Sequence, residues 1–187
     1  VCSLASRKDI FDENGIDVSQ LRTWEDFLHE ARRMTIPNQQ YMLELSNNTS
    51  AHYEMFLFQR GGGYFNTEGD LVMDNALALD TLLWYIPLIA GPERIGASLE
   101  GGGGIGMGQV FTQAIENGYI LCFLCPDWRV QFIETDAPRM KGKMAITPLP
   151  AFEPGGRNVS TFGGTMLGIS KSCASPELAR ELASSLY

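Results

Sequence analysis

Tyr119-Ile120-Leu121-Cys122-Phe123-Leu124-Cys125-Pro126-Asp127-Trp128-Arg129 is the stretch on which the reading of the fold turns. From Tyr119 to Cys125 it is continuously apolar, as a strand covered on both faces must be. A strand buried on both sides needs helices above and below it, which predicts an α/β architecture. In such a sheet the carboxyl end of a strand opens onto the ligand crevice, so Pro126-Asp127-Trp128 falls where a ligand would sit.

The pattern around this strand agrees. Before it, Val110, Phe111, Ala114 and Ile115 share one helical face, and Asn117-Gly118 ends the helix. Nearer the start, Thr23 is a suitable N-cap and Asp26 answers it in the manner of a capping box. Trp24, Phe27, Leu28, Ala31 and Met34 then follow at helical spacing until Pro37. Tyr41 to Leu45 reads as a short strand, and Ser46-Asn47-Asn48-Thr49-Ser50 as a polar turn. A helical stretch from about His52 to Gln59 stops at Gly61-Gly62-Gly63. Tyr64-Phe65-Asn66 and Leu71-Val72-Met73 suggest a small hairpin across Glu68-Gly69-Asp70. Asp74 is the expected cap of the next helix, whose Leu79, Leu82, Leu83, Ile86 and Ile89 keep the 3.6 period, with Pro87 expected to kink its last turn. Met144 to Leu149 and Thr165 to Ile169 are further strand candidates. Ser175-Pro176-Glu177 opens a last helix with Leu178, Ala179, Leu182 and Leu186 on its buried face. Trp24 and Trp84 lie on helical stripes and read as core.

The 187 residues carry 14 basic and 22 acidic side chains, a net charge of −8. Scattered Lys and Arg on an acidic chain exclude a nucleic-acid or anionic-membrane surface, because phosphate binding needs clustered cations. The apolar content of 44% is ordinary for a globular chain, and no apolar run has the length of a membrane helix. The four cysteines are Cys2, Cys122, Cys125 and Cys173. Cys122 and Cys125 have C-x-x-C spacing, but on a strand their side chains leave from opposite faces, and only His29 and His52 are available to complete a zinc site. They read as buried structural thiols, with no metal and no cofactor implied.

Gly101 to Gly108 is unusually glycine-rich, and Gly104-x-Gly106-x-Gly108 superficially matches a phosphate-binding loop. A real one follows a buried strand, whereas Ala90 to Glu100 does not read as a strand and no Gly-Lys-Ser/Thr follows. A flexible loop is the expectation. No nucleophile and base are nominated by spacing, so no enzyme is expected. Glu134 and Asp136 would form a glycosidase pair only if brought together in space. Trp128 beside Asp127 is different. An indole covers the C–H face of a sugar ring and a carboxylate accepts from its hydroxyls. Trp128 packed in the core, with Asp127 capping a helix, fits the same residues equally well.

The chain resembles the bacterial extracellular solute-binding proteins of the carbohydrate-specific, maltose-binding-like group that serve ABC importers. The resemblance rests on Arg7-Lys8-Asp9-Ile10-Phe11, Gly15-Ile16-Asp17, Thr23-Trp24-Glu25-Asp26-Phe27, Gly62-Gly63-Tyr64-Phe65 and Pro126-Asp127-Trp128. Pro148-Leu149-Pro150, Gly155-Gly156, Gly163-Gly164, Ile169-Ser170-Lys171 and Ser175-Pro176-Glu177-Leu178-Ala179 complete it. Each piece is short. Their order and spacing make the match.

This resemblance implies a periplasmic-binding-protein-like type 2 lobe, an open mixed sheet with flanking helices, spanning 1–187 as mainly the C-terminal lobe of a two-lobe protein. Crossing segments are expected near 1–8 and 148–170, with the N-terminal lobe and C-terminal helices outside the sequence. Val1-Cys2-Ser3-Leu4, without Met or a signal core, and Leu186-Tyr187, inside a helical pattern, read as cut ends. The implied function is a monomeric receptor, periplasmic or extracellular and lipid-anchored through a segment not present, that hands an oligosaccharide to ABC permease subunits without chemistry. Trp128 is the implied stacking platform and Asp127 its polar neighbour, with His52 and Tyr53 at the cleft and Gly163 and Gly164 allowing close backbone approach. Tyr53 as helix core and the glycines as turn residues remain open readings. A polyamine, metal or anion receptor, or a glycoside-processing enzyme, is the alternative. The glycine run and the four cysteines depart from the family's pattern.

Overall fold

The computed structural model describes residues 1–99, 107–164 and 166–186. Strands β1 (Cys2–Arg7), β2 (Tyr41–Glu44), β3 (Gly96–Ala97), β4 (Ile120–Pro126) and β5 (Met144–Thr147) form one open mixed sheet in the order β3-β2-β4-β1-β5. β2 runs parallel to β3 and β4, and β1 runs antiparallel to β4 and β5. Helices α1 (Lys8–Glu13), α2 (Trp24–Met34), α3 (Ala51–Gln59) and α4 (Ala76–Ile89) cover one face; α5 (Gly108–Glu116) and α6 (Asp127–Asp136) cover the other. The last helix is α7 (Pro176–Ser185).

β4 lies inside this sandwich with every residue buried. Cys122 and Leu124 join the core under α1–α4, while Phe123 and Cys125 join the core under α5 and α6. The two thiols of the C-x-x-C spacing therefore face opposite layers. The first core is built around aromatics: Trp24 meets Phe27, Phe56 and Trp84 edge-on at centroid distances of 5.4, 5.1 and 6.0 Å. The buried indole N–H of Trp24 donates to Gln59 Oε1 at 3.0 Å, and Gln59 donates onward to the carbonyls of Pro150 and Arg157. That chain of bonds ties the Pro148–Pro150 crossing to α2 and α3. The capping box of α2 forms as expected, Thr23 Oγ1 accepting from Asp26 N–H while Asp26 accepts from Thr23 N–H.

Several expectations are corrected. Asn75, not Asp74, caps α4, its Oδ1 accepting from Ala78 N–H at 2.9 Å. α4 buries Ala78, Thr81, Tyr85 and Leu88, whereas Leu79, Leu82, Leu83 and Ile86 are exposed. This helix is apolar almost all round, so the period is right but cannot say which stripe faces inward. Hydrogen bonds choose: Tyr85 O–H donates to Ser46 O, and Tyr53 O–H to Ala78 O. The helix continues through Pro87 to Ile89. Val110 is exposed on α5, whose buried face is Phe111, Ala114 and Ile115.

Gly96–Ala97 is a strand, although the segment from Ala90 does not read as one. Its two residues are too few for any alternation to appear. Gly96 is required there, since a Cβ would stand 2.8 Å from Leu45 Cδ1 and 2.9 Å from Leu88 O. The hairpin at residues 64–73 reduces to a turn with a single Phe65–Leu71 bridge. Residues 166–169 form no strand, and Met166 is 98% exposed. Thr165 lies outside the described residues, as does the glycine run from Gly101 to Gly106. α7 has no buried residue: Leu178, Leu182 and Leu186 are exposed, and Ser175 makes no side-chain cap.

Candidate functional site

Three parallel strands, β2, β3 and β4, end at one edge of the sheet, and that edge gathers the polar and aromatic groups of interest. β2 runs into the Ser46–Ser50 loop, β3 into Ser98, and β4 directly into the first turn of α6. Antiparallel β1 starts at the same edge. Its Cys2 N–H donates to Ser160 O at 3.0 Å, so the segment leading to Gly163 runs beside it.

Asp127 and Trp128 are the first two residues of α6, with Pro126 as N-cap. Asp127 is exposed and its Oδ1 accepts from Trp128 N–H at 3.0 Å. Here the carboxylate sits at the positive end of a helix, where negative charge is favoured. The Trp128 indole is 37% exposed, so it is not a core side chain. Gly163 passes beside it with φ of 77°, and a Cβ at Gly163 would lie 3.7 Å from Trp128 Nε1. Gly164 follows, exposed, with open space around it. The structure therefore brings together Asp127, Trp128 and the two glycines.

His52 and Tyr53 do not join that surface. His52 is fully buried; its Nδ1 accepts from Ser46 N–H at 3.1 Å and its ring lies 5.3 Å from that of Phe162. Burial, with the Arg129 charge adding to it, pushes its pKa down to about 3, so the ring is neutral. Tyr53 is buried too and serves as a tie from α3 to α4. Their location inside the first helix turns after a strand is what the sequence could give; which way the side chains turn depends on α4 and Phe162.

Two further exposed amides lie at this edge. Asn47 and Asn48 stand on the β2–α3 loop at the same edge as Trp128. The loop is held by Ser46, whose Oγ accepts from the N–H groups of Asn48 and Thr49 and donates to Asn48 Oδ1. The sequence signal for them is a polar turn directly after a strand, the position at which open α/β sheets in general present ligand-binding groups. Unforeseen from sequence was Arg129, buried next to Trp128. Its Nη2 lies 2.7 Å from Glu44 Oε2 at the end of β2, and its Nη1 donates to Leu124 O at 3.0 Å.

Chemically, the edge offers a flat aromatic face, a carboxylate, two amides and backbone brought close by glycine. That set suits a neutral polyol with one apolar face. The three buried cysteines are poor nucleophiles at neutral pH: burial pushes Cys2 up to about 12 and Cys125 to about 11, and raises Cys122 well above its usual range. Glu134 and Asp136 are exposed at the far end of α6, two residues apart and so on different sides of the helix. Among the described residues no three His, Cys, Asp or Glu side chains gather as metal ligands, and no helix is long and apolar enough to cross a membrane.

Comparison with known proteins gives a consistent neighbourhood. The family model described as bacterial extracellular solute-binding protein matches residues 3–187. An arabinooligosaccharide-binding protein of Halalkalibacterium halodurans is 27% identical over 174 residues, which are 93% of this chain and 38% of that protein. The protein of the same name from Bacillus subtilis is 27% identical over 173 residues, 92% of this chain and 39% of its own length. The chain thus spans about two fifths of the curated relatives it matches. Among solved structures, maltose-bound MalE3 of T. maritima superposes with a TM-score of 0.71 at 24% identity, over 99% of this chain and 46% of that one. The ABC-transporter-associated binding protein of B. animalis subsp. lactis, in complex with β-1,6-galactobiose, gives a TM-score of 0.77 at 17% identity, over 99% and 45%. These likenesses establish a shared fold.

Proposed function

The chain belongs to the bacterial extracellular solute-binding proteins, and on that premise we propose that it is the C-terminal lobe of a two-lobe receptor for an oligosaccharide. The observation that carries the reading is the half-exposed indole of Trp128 at the carboxyl edge of β4, flanked by Asp127 and Gly163. Its face is the stacking platform. Asp127, Asn47 and Asn48 accept from and donate to the hydroxyls, and Gly163 and Gly164 let the backbone close on the ring. The names of the relatives and of several structural neighbours support a sugar as the solute. Proximity of the two crossing segments, β1 and the strand-like stretch at Ser160, supports a hinge there. The exposed leucines of α7 supply a face for the remainder of the receptor.

In this reading the protein does no chemistry. Sugar bridging both lobes favours the closed form, and ABC permease subunits read that form. The location is periplasmic or extracellular, in keeping with the family. A micromolar affinity corresponds to about −8 kcal/mol, within reach of one aromatic stack and several hydrogen bonds, some of them charge-assisted, in the complete protein.

Calorimetric titration of the full-length protein against arabino-, malto- and galacto-oligosaccharides, with Trp128→Ala in parallel, tests the proposal. Saturable binding of one sugar class that weakens at least tenfold in the variant is expected. Binding that survives the substitution would remove Trp128 from the site. Silence across the sugars, with a response to polyamines, metal ions or anions, would replace the sugar with another solute.

A further inference from the structure

Arg129 is in an unfavourable place. It is the third residue of α6, where the helix dipole disfavours a cation, and it is 1% exposed, where any unpaired charge is costly. Everything around it is arranged to hold that charge. Glu44, also 1% exposed, supplies a carboxylate oxygen at 2.7 Å, and Leu124 supplies a carbonyl at 3.0 Å. The guanidinium carbon lies 4.1 Å from the ring centre of Phe111 and 4.9 Å from that of Phe123. One side chain therefore joins the first turn of α6 to β2, β4 and α5.

Stability alone is a weak reason for an ion pair there. Buried pairs replaced by apolar side chains of similar volume are often neutral or stabilising. What the pair does supply is direction. Trp128 precedes Arg129, and adjacent residues on a helix leave its axis about 100° apart. Pinning Arg129 inward fixes the rotation of that first turn, and with it the side on which the indole emerges beside Gly163. We propose that the buried Arg129–Glu44 pair is a positioning device that holds the Trp128 indole in its ligand-ready orientation before a ligand arrives. This rests on the stacking reading above. Its energetic role is preorganisation, which raises affinity by removing an ordering cost from the binding step.

The test uses the full-length protein labelled with 5-fluorotryptophan, with the Trp128 fluorine resonance identified by its loss in Trp128→Phe. Two readouts are taken: the position and width of that resonance without ligand, and the Kd for arabinotriose, maltotriose and β-1,6-galactobiose. In the double variant Glu44→Leu/Arg129→Met the protein stays folded. Its Trp128 resonance moves or broadens, and the Kd rises about tenfold, equivalent to about 1.4 kcal/mol. Arg129→Lys keeps the charge but cannot serve the carboxylate, the carbonyl and both rings with one fork, and gives a smaller change in the same direction. If the double variant fails to fold, Arg129→Lys, which keeps both charges of the pair, is judged on the same two readouts. A folded variant with an unaltered resonance and an unaltered Kd overturns the positioning role. Sugar binding unaffected by Trp128→Ala instead overturns the stacking reading. If none of the three sugars binds the unaltered protein, that reading falls, and the fluorine resonance alone decides whether the pair orients the indole.

Discussion

At the scale of single residues, the site is defined by contrast between neighbours. Trp128 is half-exposed, while Arg129 beside it is fully enclosed; Tyr53 and His52 are buried, while Asn47 and Asn48 a few residues earlier are exposed. Gly163 is constrained by its φ of 77°, while a Cβ there would only touch the indole at an ordinary 3.7 Å. Gly163→Ala is expected to cost roughly 1–2 kcal/mol for the left-handed backbone, read as a lower midpoint in urea, and to weaken sugar binding as well. His52 gives a pH prediction. Its folded pKa of about 3 lies below the ordinary value of 6.5. Between those values the unfolded chain takes up a proton that the folded chain refuses, so stability falls as pH drops through that window. His52→Asn can still accept from Ser46 N–H but does not titrate. Denaturant titrations at pH 7 and pH 4.5 are expected to show a smaller loss on acidification for the variant than for the unaltered protein. Equal losses would mean that His52 is not held neutral.

At the scale of elements, what matters is which face of each helix is turned inward. α4 presents Leu83 to solvent and Leu88 to the core. Leu88→Ala is therefore expected to destabilise by about 2–5 kcal/mol, and Leu83→Gln by no more than about 0.5 kcal/mol. The capping box of α2 predicts a loss of about 1 kcal/mol for Thr23→Ala in the same assay. These elements also show where sequence is sufficient. β4 is legible because a short, uninterrupted apolar run closed by Pro126 fits a strand covered on both faces and little else, and α2 because cap, stripe and Pro37 agree. α4 is legible as a helix but not in its orientation, since leucines on every side leave the choice to the hydroxyls of Tyr53 and Tyr85. β3 is invisible, its two residues being defined only by the neighbour they pair with. The site follows the same rule. The placement of Trp128 and Asp127 at the sheet edge can be anticipated because a strand end announces it, whereas the burial of His52 depends on Phe162, more than a hundred residues away in sequence. Arg129 looks like an ordinary surface cation because its partner, Glu44, lies on another strand.

At the scale of the whole molecule, the sheet gathers its parallel strand ends, the start of β1 and the passage of Ser160 to Gly163 at one edge. The proposed two-lobe receptor, if hinged there, should become more compact when sugar is added, and small-angle scattering of the full-length protein is expected to record a smaller radius of gyration in the liganded state. Under the same proposal Trp128→Ala should require more sugar to reach the same compaction, because it would weaken binding without touching the crossing segments. The central claim is that the indole of Trp128 is the surface on which the sugar rests. A crystal structure of the full-length protein with a bound oligosaccharide tests it most directly. The account predicts a sugar ring lying flat over the Trp128 indole at roughly 4 Å, with its hydroxyls turned toward Asp127 and the Asn47–Asn48 loop. A sugar bound elsewhere, with Trp128 covered by protein instead, would contradict it.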